Sequence, residues 1–81
     1  MKGGQAAKIL RALASGKMLT PVDALEEFGC FRLGARVYDL RGAGWNVQAQ
    51  SVSLQSGKKV ARYWLPMRDC KRYWTEQEVA R

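Results

Sequence analysis

Arg32 and Arg36 stand four residues apart, so on a helix they share one face, one turn from each other. A guanidinium is a planar fork of donors that bonds in a bidentate way to a carboxylate, a phosphate, or the O6/N7 edge of guanine. Ala35 and Asp39 fall on the same side. The small alanine allows close approach of the backbone. The carboxylate has two roles open to it, accepting from a cytosine amino group or pairing with Arg36 and orienting it. A second cationic group, Lys58, Lys59 and Arg62, follows Gly57. Its chemistry is contact with phosphate oxygens or with the minor groove. Thr20, at the start of a segment opened by Pro21, sits beside backbone N–H groups that can bind a phosphate, with Lys17 as companion and Arg41 as a further cation. The expected base contacts are therefore Arg32, Ala35, Arg36 and Asp39. The expected backbone contacts are Lys17, Thr20, Arg41, Lys58, Lys59 and Arg62. The plain alternative for the arginines is a solvated face, because Arg is soluble and a good helix former.

The charge distribution favours the first reading. The chain carries 14 Lys and Arg against 7 Asp and Glu, for a net charge of +7. Residues 31–72 hold nine of the basic side chains against Asp39 and Asp69 alone. Charge gathered in one region steers a protein toward a polyanion, and nucleic acid is the commonest one. An anionic membrane is the weaker fit, since no segment joins a continuous Lys/Arg face to a bulky apolar one and no apolar run reaches spanning length.

Catalysis is poorly supplied. There is no histidine, no phosphate-binding glycine loop and no spaced carboxylate cluster, so no cofactor, metal or small-molecule substrate is expected and the chain does not read as an enzyme. Cys30 and Cys70 lie too far apart for a zinc motif, and either thiol as a nucleophile lacks a His partner. With no apolar leader at the N-terminus, a reduced cytoplasm is expected rather than a disulfide. Cys30 reads as a small residue at a helix boundary and Cys70 as a half-buried tail residue.

The elements that must position these groups follow from periodicity. Ala6, Ile9, Leu10 and Leu13 predict a helix over residues 5–16, after a Gly3-Gly4 lead and stopped by Gly16 and Lys17. Thr20, Pro21 and Asp23 have the spacing of a capping box that opens a second helix, with Val22, Leu25 and Phe28 as its buried stripe, Glu26 and Glu27 outward, and Gly29 as the stop. Leu33, Val37 and Leu40 predict a third helix over 31–41, with Tyr38 on a flank and Gly42-Ala43-Gly44 closing it. The pattern then turns to strand formers. Strands are expected near 46–54 and 59–65 around a Gln55-Ser56-Gly57-Lys58 turn, with Pro66 ending the second. Val47 and Val52 differ in parity, which a bulge near 49–51 reconciles. Trp45, Tyr63 and Trp64 either stack on single-stranded bases or, the preferred reading, anchor the sheet to the helices. In the tail, residues 69–74 can pack back on the body, and Thr75 starts a helix with few residues left.

Three helices followed by a basic hairpin is the plan of a winged helix-turn-helix, an α+β domain over residues 1–66 with a C-terminal extension over 67–81. From Leu19 to Leu65, LTPVDALEEFGCFRLGARVYDLRGAGWNV and GKKVARYWL resemble a family of small helix-turn-helix domains found mostly in phage and prophage genomes. The shared pattern falls on Ala24, Leu25, Gly29, Cys30, Arg32, Leu33, Ala35, Arg36, Asp39, Leu40 and Arg41, then Gly57, Lys58, Ala61 and Tyr63. The resemblance implies a phage or prophage origin, the cytoplasm of a bacterial host, and binding to double-stranded DNA. A lone domain reads few base pairs, so a regulator of this kind implies a homodimer. The competing reading is a protein–protein module that reuses the scaffold to dock on a host protein.

Overall fold

The computed structural model describes residues 4–79, ordered α1 (Gln5–Ala14), α2 (Pro21–Phe28), α3 (Leu33–Gly42), β1 (Gln48–Ser53), β2 (Lys59–Trp64) and α4 (Met67–Val79). Gly4 is the N-cap of α1, and Gly3 lies outside the described residues. Helices followed by a two-stranded antiparallel hairpin agree with the expected plan.

α1 is the hub. Ala6, Ile9, Leu10, Leu13 and Ala14 are buried along one stripe, and the helix packs on α2, α3 and α4. It ends two residues earlier than expected, in a closure that α3 repeats. Gly16 adopts φ +92°, its N–H reaches the Leu13 carbonyl (3.0 Å), and the Lys17 N–H reaches Ala12 (3.2 Å). At the end of α3, Gly44 adopts φ +98°, its N–H reaches Arg41 (3.0 Å), and the Trp45 N–H reaches Leu40 (3.1 Å). Both are Schellman ends, and buried Leu40 and Trp45 supply the apolar contact that accompanies the second one.

The capping box of α2 is formed: the Thr20 hydroxyl accepts from the Asp23 N–H (3.2 Å), and the Asp23 carboxylate accepts from the Thr20 N–H (2.9 Å). Its buried face is only partly the expected one. Val22 and Leu25 are 54% and 41% exposed, whereas Ala24 is fully buried and Phe28 half-buried against the core. Ala24 and Phe28 lie one turn apart, so the face is rotated from Val22 and Leu25 toward Ala24. A small residue at the contact lets α2 approach its neighbours closely, so size, not hydrophobicity, selected the face.

α3 buries Leu33, Val37 and Leu40 as expected but begins at Leu33, because Cys30 is buried and Phe31 and Arg32 belong to the turn. In the hairpin the pairing runs without interruption from Gln48↔Trp64 to Ser53↔Lys59, so the expected bulge is absent. Val47 precedes the strand and points into the core, which removes the parity conflict. The turn closes with Leu54 and Lys58 paired (2.8 Å) and Gly57 at φ +88°. Leu54 is exposed, and Val52 and Val60 are half-buried, because no layer covers the outer part of the hairpin. Leu19 forms an unforeseen bridge with Tyr63 through two backbone bonds (2.9 and 2.8 Å), tying the α1–α2 link to the sheet.

The tail does pack back, but as one helix of 13 residues, with Thr75 in its interior and not at its start. Tyr73 is buried against Trp45 (centroids 5.9 Å), and the Trp74 indole donates to the Ala14 carbonyl (3.0 Å). Buried Asp69 accepts from the Asn46 N–H (3.0 Å). Cys30 is buried and Cys70 half-buried, and both are free thiols.

Candidate nucleic-acid interface

With Leu33, Val37 and Leu40 turned inward, helical geometry places Ala35, Tyr38, Asp39 and Gly42 on the opposite side of α3. Tyr38 is 77% exposed, so it belongs at the centre of the outer face and not on a flank. Arg36 lies nearer the core. Its guanidinium bonds the Asp39 carboxylate (Nη2 to Oδ2, 3.2 Å), its side chain is 37% exposed, and its Nε is buried without a hydrogen bond. In this structure Asp39 takes the second of its two roles, pairing with Arg36. Arg32 is the exposed N-cap residue of α3 and makes no side-chain cap bond. Phe31, beside it, is 85% exposed.

The hairpin carries the second group of cations. Lys58 and Lys59 are exposed at the turn and the start of β2, and neither pairs with a carboxylate among the described residues. Arg62 is half-buried opposite Gln50 in the hairpin register.

Three of the expected phosphate contacts already have structural work. Lys17 pairs with Glu27. The Thr20 hydroxyl belongs to the capping box. Arg41 donates from Nε and Nη2 to the Val47 carbonyl (3.1 and 2.9 Å), bracing the end of α3 against the entry to β1. An open groove of about 460 Å³ runs along this joint, lined by Arg41, Trp45, Asn46, Val47, Gln48 and Ala49.

Trp45 is an anchor. It is buried, with the Arg72 guanidinium 3.8 Å from its ring centroid and donating to the Gly44 carbonyl (3.3 Å). Tyr63 and Trp64 are half-buried; the Tyr63 hydroxyl comes within 3.9 Å of where a Cβ on Gly34 would stand. Arg72 and Phe31 were not singled out by sequence. Arg72 is one of three clustered cations in a tail with no apparent period, and a lone Phe ordinarily reads as core.

Burial, and then the neighbouring Asp69 carboxylate, push the Cys70 thiol above its ordinary pKa. Among the described residues no three His, Cys, Asp or Glu side chains come together to hold a metal, and no helix is long and apolar enough to cross a membrane.

The profile of the winged helix-turn-helix domain family matches residues 4–68. No curated protein and no solved structure matches the chain. The matched span runs from the start of α1 through the hairpin to the first residues of α4. An α3 with an exposed outer face and a hairpin with a cationic tip are the parts such a domain uses to meet DNA. The chain belongs to the winged helix-turn-helix domain family.

Proposed function

We propose that this protein is a transcriptional regulator of phage or prophage origin that acts in the bacterial cytoplasm, laying α3 in the major groove of double-stranded DNA and its hairpin on the backbone. The observation that carries the reading is the pairing of an α3 whose outer face begins with Ala35 and whose N-cap is the exposed Arg32 with a hairpin tip whose Lys58 and Lys59 are exposed and meet no carboxylate among the described residues. Arg32 enters the groove at the N-terminal end of α3, and Arg36 follows, oriented by Asp39. Lys58, Lys59 and Arg62 meet phosphates. Lys17, Thr20 and the α2 amides, and the part of Arg41 not spent on Val47, flank the same strand. Specific recognition is completed by a second copy, because one domain reads few base pairs.

A second reading rests on α2, where Val22 and Leu25 are exposed beside Glu26. Such a surface suits a host-protein contact.

Selection from a randomised duplex pool at two salt concentrations tests the proposal. A regulator enriches a motif with two-fold symmetry. Lys58→Ala and Lys59→Ala weaken binding to all sequences alike, each lowering the salt slope by about 0.9. Retention without enrichment, or slopes unchanged in both variants, overturns it.

A further inference from the structure

The outer face of α3 is less cationic than its sequence suggests. Arg36 is partly neutralised by its pair with Asp39, and its Nε is buried without a hydrogen bond. That leaves the half-buried Ala35 and the exposed Tyr38 and Gly42 as the uncharged part of the face, with Phe31 exposed at the entry to the helix. Ala35 and Tyr38 are one turn apart, so their methyl group and ring form one apolar strip. Tyr38 and Phe31 are also more exposed than any other large apolar side chain described. Only one apolar feature is displayed on the major-groove edges of the base pairs, the 5-methyl group of thymine.

We infer that this strip reads thymine 5-methyl groups: Tyr38, with Ala35 before it and Phe31 at the helix entry, packs on them in the major groove. The inference rests on the reading that α3 occupies that groove. Specificity then comes from apolar contact at A·T pairs along the middle of α3, while Arg32 serves the N-terminal end. A 5-methylcytosine presents the same group at the same ring position and is taken in the same way.

Binding of the full chain to two labelled duplexes by fluorescence anisotropy tests this. One duplex alternates A and T, and the other carries uracil in place of every thymine, so that the methyl groups are removed and base pairing is kept. Wild-type protein is expected to lose about fourfold in affinity for each methyl contact removed, equivalent to ~0.8 kcal/mol per buried methyl. Tyr38→Ala, at an exposed position and checked for folding by circular dichroism, is expected to show a smaller ratio between the two duplexes than wild type. Equal wild-type affinity for the two duplexes overturns the methyl reading and leaves DNA binding standing. A wild-type ratio retained in Tyr38→Ala and in Phe31→Ala also overturns it. Binding to neither duplex at low salt overturns the DNA-binding reading itself.

Discussion

Replacing Arg41 by alanine removes the brace between α3 and the hairpin. Two guanidinium donors, Nε and Nη2, converge on the Val47 carbonyl at 3.1 and 2.9 Å. Val47 is 2% exposed with Arg41 in place, and truncation leaves its carbonyl beside the open groove, where water restores part of the lost bonding. A hydrogen bond to a charged group contributes about 1.5–3 kcal/mol, and a buried acceptor left unpaired costs roughly 1–3 kcal/mol. The two donors share one acceptor and Arg41 is itself solvated, so the contributions do not add, and the expected loss is about 2 kcal/mol. In a domain of this size that lowers the melting temperature by roughly 8–16 °C. Thermal unfolding followed by circular dichroism reads the shift directly. Arg41→Lys, with one donor centre, is expected to recover part of it. DNA affinity measured well below both melting points should also fall, because the hairpin loses its fixed angle to α3. A melting temperature within about 2 °C of wild type would refute the brace and return Arg41 to being a phosphate contact alone.

Other substitutions probe single contacts elsewhere in the fold. Thr20→Ala abolishes half of the capping box and should cost about 1 kcal/mol in urea unfolding. Gly34→Ala meets nothing nearer than the Tyr63 hydroxyl at 3.9 Å, so it should stabilise the fold by about 0.5 kcal/mol while weakening duplex binding by adding bulk to α3. The Cys70 thiol is raised by burial and by Asp69, so the folded state holds its proton more tightly than the unfolded chain does. Its contribution is complete below the ordinary thiol pKa and is lost as pH climbs through the folded value. The stability difference between wild type and Cys70→Ala should therefore shift against wild type in alkaline urea titrations.

Local signals were legible in the sequence wherever one segment carried its own instructions. The Thr20–Asp23 box formed because both partners lie within one turn, and Leu33, Val37 and Leu40 face inward because their period matches the helix. The face of α2 was not legible, since the choice of Ala24 over Val22 and Leu25 depends on how closely three helices pack. Nor was the Leu19–Tyr63 bridge, a single residue with no period to announce it. α4 escaped recognition because its contacts come from Asp69, Cys70, Tyr73 and Trp74, a stripe half polar by composition whose partners, Asn46, Leu13, Trp45 and Ala14, are all distant in sequence. In the candidate interface, the residue types at Lys58, Lys59 and Arg32 pointed to polyanion contact. The inward set of Arg36 and the outward set of Tyr38 depend on where the axis of α3 rests on the core.

Amide shift mapping by NMR, with isotope-labelled protein titrated with duplex DNA at low salt, reads which surface of the domain meets DNA. Perturbations are expected to concentrate at residues 31–42 and around the hairpin turn at 54–59, with smaller ones at Lys17, Thr20 and the first turn of α2, while Leu25 and α4 stay largely unaffected. Perturbations centred on Val22 and Leu25 or on α4, with α3 and the hairpin unmoved, would contradict DNA binding through α3 and the hairpin.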